Sequence, residues 1–198
     1  MNIENAVKNL KNRGFDVSVF GTKEDARDYL VGKLKGRSIG FGGSVTLKQM
    51  GLFEALSKEN TVWNHWIQEP LEARKNAAKA DVYITSANGV AETGEIINID
   101  GSGNRVSATL YGKEEVYFIV GINKFADNFD KALWRARNIA GPKNAQRLGR
   151  KTPCAKEGDK CYDCSSPERI CKGLVVLWGK TLEIGRMEIV IVNECLGY

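Results

Sequence analysis

Ser38-Ile-Gly-Phe-Gly-Gly-Ser-Val-Thr46 joins a short buried strand to the start of a helix, the strand-to-helix step of an α/β fold. Ser38–Phe41 is apolar enough for a strand inside a sheet. The glycines that follow let the backbone take positive φ and approach a ligand closely. Free N–H groups at the helix start attract an anion such as phosphate or carboxylate, and Ser44 and Thr46 add hydroxyls. The pattern is not a dinucleotide-binding fingerprint, because Val45 stands where the third glycine belongs. It is not a P-loop either, because the Gly-Lys-Ser/Thr ending is missing. The same residues also serve as a tight strand-to-helix turn with Ser44 as N-cap.

The segments on either side continue the alternation. Ile3, Ala6, Val7 and Leu10 mark an amphipathic helix that Gly14 ends, and Phe15, Val17 and Val19 alternate as a strand does. Thr22 caps a second helix with Ala26, Tyr29, Leu30 and Leu34 on its buried stripe. A helix is expected over Val45–Lys58, a strand over Thr61–Trp66, and a helix opened by Pro70 and running to Lys79. Asp81–Thr85 and Glu115–Val120 read as buried strands. Glu95–Asp100 and Arg105–Leu110 flank Gly101–Asn104 as a hairpin would. A helix over Asp127–Ala140 is expected to stop at Gly141-Pro142, and Leu174–Trp178 and Met187–Val192 are late strands. The fold class is α/β with a mixed, largely parallel sheet, parallel early and antiparallel later.

The chain has 198 residues, 42% of them apolar and 27% charged, which suits one folded domain with a sizeable core. The single histidine, His65, excludes zinc sites that need two, and it reads as a packed side chain rather than a catalyst. No apolar run reaches the roughly 18–20 residues needed to span a bilayer. Met1–Gly14 lacks the apolar core of a signal peptide, so a cytoplasmic protein with reduced thiols is expected.

A second loop, Asn88-Gly-Val-Ala-Glu-Thr-Gly94, also leaves a strand end. In open α/β sheets ligands gather outside the carboxyl ends of strands, so Asn88, Gly89, Thr93 and Gly94 are candidate ligand contacts beside Gly42, Gly43, Ser44 and Thr46. Glu92 is then a candidate nucleophile or general base. A solvated glutamate in a glycine-shaped turn accounts for the same residues. Residues 131–151 carry seven basic side chains and no acidic one, leaving −2 for the rest of a chain whose net charge is +5. Arg135, Asn138, Asn144 and Arg147 in this stretch are candidate contacts for phosphate or carboxylate, and a solvated helix face is the alternative.

Cys154, Cys161, Cys164 and Cys171 are spaced C-x6-C-x2-C-x6-C in a polar, turn-rich segment at about 151–172, and Cys195 lies apart. Such a segment builds no apolar core of its own, and four thiolates on zinc or on an iron–sulfur cluster would fold it. Free thiols or disulfides are the alternatives.

Three stretches together resemble one family. Gly42-Gly-Ser-Val-Thr-Leu47, Ala87–Gly94 and Ile189-Val-Ile-Val-Asn-Glu-Cys-Leu-Gly197, with Asn138–Arg147, are similar to the lactate-utilisation (LUD) domain, in the expected order over most of the chain. The resemblance implies a single Rossmann-like three-layer domain over 1–198, of the kind shared with ribose-phosphate isomerases and CoA-transferases, with both glycine loops at one site. It also implies a small anionic or CoA-like ligand, with acyl or carboxylate chemistry through Glu92 by analogy with the CoA-transferase loop glutamate. The cysteine-rich insertion is a departure from ordinary members. It supports the alternative of a non-catalytic accessory or electron-transfer subunit of a lactate-oxidising complex, docked to iron–sulfur or flavin partners. A homodimer is a further expectation. No DNA-reading motif is present, so nucleic acid is not an expected partner.

Overall fold

The computed structural model describes residues 2–198. Its helices are α1 (Ile3–Asn12), α2 (Lys23–Lys33), α3 (Val45–Gln49), α4 (Leu52–Leu56), α5 (Pro70–Lys79), α6 (Asn104–Ala108), α7 (Phe129–Arg135), α8 (Gly141–Arg147) and α9 (Pro153–Glu157). Its strands are β1 (Asp16–Phe20), β2 (Ser38–Phe41), β3 (Thr61–Trp63), β4 (Val82–Thr85), β5 (Gly89–Ala91), β6 (Ile96–Asp100), β7 (Glu115–Gly121), β8 (Phe125–Ala126), β9 (Gly173–Leu177) and β10 (Arg186–Val192).

Six strands form an all-parallel sheet in the order β1-β10-β7-β4-β2-β3. The central strand β7 shows why helices must cover both faces. Tyr117 and Ile119 join Leu30 of α2, Leu34 just after it, Leu47 of α3 and Leu52 of α4 on one side. Val116, Phe118 and Val120 join Leu10 of α1, Ala77 of α5 and Val90 and Ile96 of β5 and β6 on the other. A smaller sheet, β8-β5-β6-β9, therefore packs on the second face, and α7 with the helical turn after it covers it through Ala132 and Ala136. The result is a Rossmann-like α/β fold.

The expected late antiparallel pairing holds for β9, which runs antiparallel to β6, and is corrected at β10. That strand lies between β1 and β7, parallel to both, and Met187–Val192 is fully buried there. A continuous apolar run is what a strand covered on both faces requires. The expected hairpin across Gly101–Asn104 is also corrected. Arg105–Leu110 begins within α6, and β6 pairs antiparallel with β5 and with the distant β9. Arg105 folds back from that helix to donate to the Ile99 carbonyl at 2.7 Å and to pair with Asp100 at 3.4 Å. The helix expected over Val45–Lys58 is broken at Gly51, which sits at φ +60.

The helix expected to stop at Gly141-Pro142 runs on to Arg147. Pro142 has no N–H to give and crowds the carbonyl four residues back. Residues Ala136–Ala140 absorb it as one π-helical turn, in which the Gly141 N–H bonds to the Ala136 carbonyl five residues earlier.

Away from the strand carboxyl ends, Glu188 is fully buried. Its carboxylate accepts from Ser18 (2.6 Å), Tyr29 (2.8 Å) and Lys33 (2.7 Å), and Arg186 lies at 3.0 Å. Burial on its own would raise this carboxyl, but the hydrogen bonds from Lys33, Ser18 and Tyr29 outweigh it and hold the group below the ordinary glutamate value. Its stabilising contribution is complete above the unfolded-chain value near pH 4.3 and is lost as pH falls through the lower native value. Glu188→Gln is expected to cost about 3 kcal/mol, measured by denaturant unfolding at pH 7, and to flatten the acid limb of the stability curve.

Candidate functional site

A parallel sheet delivers the segments after β2, β4, β7 and β10 to one edge. From β2 the chain steps outward to β3, returns to β4 on the other side of β2, and proceeds to β7 and β10. The crevice outside the carboxyl ends of β2 and β4 is thus the point where strand order reverses, which is where open α/β sheets bind ligands. A pocket of about 260 Å³ lies there. Gly43 and Ser44 after β2, Ser86 and Asn88 after β4, Lys124 after β7, and Gly197 and Tyr198 after β10 all line it.

The lining is strongly cationic. Arg74, Arg105, Lys124, Arg147 and Arg150 face it, against the single carboxylate of Asp100, which pairs with Arg105. Lys124 is 4% exposed, and its ammonium donates to Thr46 Oγ1 and Ser86 Oγ, each at 2.9 Å. An ammonium has three N–H donors, so one remains for a ligand. No carboxylate pairs with Lys124 among the described residues. Burial first, then Arg135 and Arg105, pull its pKa down to about 7. A lysine so placed exchanges between ammonium and amine near neutral pH, and can hold an anion or move a proton.

Arg105 and Arg135 are committed to the framework. Arg105 donates to the Ser86 carbonyl (3.1 Å), to Asn88 Oδ1 (3.1 Å) and to Asn98. Arg135 is buried and donates to the carbonyls of Asn88 (2.5 Å) and Asn123 (2.9 Å). Arg147 lies over the Trp66 ring at 4.5 Å and donates to Asn144 Oδ1 and the Tyr198 hydroxyl. His65 lines the pocket with its pKa lowered, by burial first and then by Arg74.

The LUD domain family matches residues 3–192. The chain belongs to this family. Among solved structures, the crystal structure of a DUF162 family protein from Deinococcus radiodurans is similar, with a TM-score of 0.58 and 13% sequence identity over 96% of each chain. At that identity the likeness is one of fold. None of the curated proteins compared matches.

In this LUD domain the two glycine loops part company. Gly43, Ser44, Asn88, Asn144 and Arg147 line the pocket. Thr46 is fully buried and touches it through Lys124. A Cβ at Gly42 would lie 2.6 Å from Thr85 Oγ1, and one at Gly89 would lie 2.6 Å from the Ala132 carbonyl, so both glycines answer to packing. Asn138 turns to the cysteine segment, where its Oδ1 accepts from the Cys161 N–H at 3.1 Å.

Glu92 does not line the pocket. Its carboxylate accepts from the Asn2 N–H (2.9 Å) and Asn5 Nδ2 (3.2 Å) at the start of α1. The Glu92 and Thr93 carbonyls accept from Asn9 (2.8 Å) and Arg13 (2.8 Å), and Gly94, at φ +100, lies against Arg13. The Glu92–Gly94 turn thus docks on the polar face of α1. Lys124, Arg105, Ser86 and Tyr198 are pocket residues that the sequence reading missed. The available signal was position: Ser86 and Lys124 each follow the end of a strongly apolar strand.

An ordinary lysine keeps its proton to about pH 10.4, whereas native Lys124 releases it near 7. Between those values the unfolded chain binds the extra proton, so Lys124 makes the native state more stable as pH rises. Lys124→Met is expected to raise stability at pH 7 and to abolish this rise, on the order of 4 kcal/mol across the window, as read by unfolding at pH 7 to 10. Thr46 and Ser86 keep acceptors in that variant, the carbonyls of Leu196 (3.2 Å) and Ile119 (2.6 Å).

Proposed function

We propose that this LUD-family protein binds a small anionic metabolite, a carboxylate or phosphate, in the pocket at the carboxyl ends of β2, β4, β7 and β10. The observation that carries this reading is Lys124: a buried ammonium without a carboxylate partner among the described residues, with two arginines beside it and one N–H unspent. A desolvated cation in that setting is relieved by an anion, and the anion gains a charge-assisted hydrogen bond. Arg147, braced on Trp66, and Arg74 supply further charge at the mouth. Such a constellation suits a short hydroxy- or oxo-carboxylate, in keeping with the lactate association of the family, and the tail of a CoA-like molecule equally offers phosphate.

Chemistry in this pocket falls to Lys124, which is poised to accept or return one proton at the bound ligand. Glu92 sits outside the cavity against α1, so acyl transfer through it finds no support in the geometry.

Calorimetric titration with L-lactate, pyruvate and inorganic phosphate tests the reading. At least one is expected to bind at pH 6, with affinity falling as pH rises through about 7, where Lys124 loses its charge. Lys124→Met should weaken that binding by about 10-fold or more, and Glu92→Gln should leave it unchanged. Binding of none of the three, or equal binding to the Lys124→Met variant, would overturn the proposal.

A further inference from the structure

The four clustered cysteines face a second cavity of about 310 Å³, between α8, α9 and the start of β9. Cys154, Cys161, Cys164 and Cys171 all line it, all are half-buried, and none is in a disulfide. Cys195 is exposed and lies outside this lining. A single zinc ion needs its thiolates about 2.3 Å from one point. Among the described residues no three histidine, cysteine, aspartate or glutamate side chains are drawn together closely enough to hold one metal ion. The four cysteines share the wall of one cavity, with room between them for a guest larger than one ion.

We infer that this cavity holds a polynuclear iron–sulfur cluster, each of the four cysteines binding one of its irons. The wall is built for such a guest. Arg169 Nε lies 3.1 Å from Cys171 Sγ, the Asp163 N–H lies 3.4 Å from Cys161 Sγ, and the Thr152 hydroxyl lies 3.3 Å from Cys154 Sγ. Donors to sulfur stabilise cluster thiolates and set the potential. The turn between Cys161 and Cys164 is held by Asp163, the one non-glycine residue at positive φ among the described residues, at φ +44. Its carboxylate ties down Arg169 (3.1 Å) and Arg137 (3.3 Å). With Lys172, these cations face the cavity and offset the negative charge of a thiolate-ligated cluster. Ligation is a thiolate exchange: four cysteine S–H bonds and the four bonds from iron to the incoming cluster's own thiolates break, four cysteine S–Fe bonds form, the released thiolates leave with the four protons as free thiols, and no electron moves.

The test uses the full chain, purified without oxygen and then offered a preformed synthetic iron–sulfur thiolate cluster. Iron and acid-labile sulfide are expected in equal amounts, about two or four of each per chain, with broad visible thiolate-to-iron absorbance. Cys161→Ser and Cys171→Ser should lose most of both, and Cys195→Ser should keep them. One zinc per chain without sulfide, or a chain that takes up no iron, overturns the inference. Should the ligand variants fail to fold, Arg169→Gln decides, because it keeps all four cysteines. Equal iron and sulfide with a reduction potential shifted to more negative values supports the cluster, and zinc without sulfide, or an unchanged potential, overturns it.

Discussion

A sheet whose strands all run one way sends every carboxyl end to the same edge, and the helices on its two faces leave that edge open. Here that constraint gathers four separate stretches of chain around one buried ammonium. Lys124 reaches Thr46 from the β2 side and Ser86 from the β4 side, so its hydrogen bonds bridge the strands between which the order reverses. The segment after β10 closes over the same spot. A Cβ at Gly197, at φ +62, would come within 2.6 Å of Thr46 Oγ1. The bare backbone there lets the last residues lie flat across the pocket and brings the Tyr198 hydroxyl to Arg147 and Asn144.

The cations of the site divide by what they hold. Arg105 and Arg135 saturate themselves on the Ser86, Asn88, Ile99 and Asn123 carbonyls, and so fix the walls. Their charge still acts at Lys124, where it favours the neutral amine until a counter-ion arrives. Lys124, Arg74, Arg147 and Arg150 are the groups left to meet that counter-ion. A cavity whose charge is assembled in advance would spend little on reorganisation in taking up an anion.

Much of the architecture was legible because its signals are local. Ile39, Ile84, Ile119 and Ile191 sit in short apolar runs that have no stable place except inside a covered sheet. The Gly43–Ser44 turn was legible as part of the site for the same reason, being bound to the strand before it. What stayed hidden depends on partners far along the chain. The Gly101–Asn104 turn has hairpin chemistry, yet β6 finds its partner in β9, so turn residues did not reveal the pairing. Glu92 reads as an available carboxylate until the asparagines of α1 are brought against it. Lys124 reads as any other lysine, since nothing in its neighbours in sequence announces the burial that shifts it. The cysteine spacing was plain, and the common wall of the four sulfurs appears only in three dimensions.

The π turn before Pro142 is a device of phase. It adds a residue to one turn of an otherwise regular helix, and each residue swings the side chains by about 100°. Ala132 and Ala136 therefore face the small sheet, while Asn144 and Arg147 downstream face the cationic pocket and Pro142 and Ala145 face the cysteines. Deleting one residue from 136–140 would restore a regular helix and rotate everything after it away from both cavities. In this stretch the length of the sequence is under tighter constraint than its letters, and relatives that vary freely in residue type here should still not vary in count.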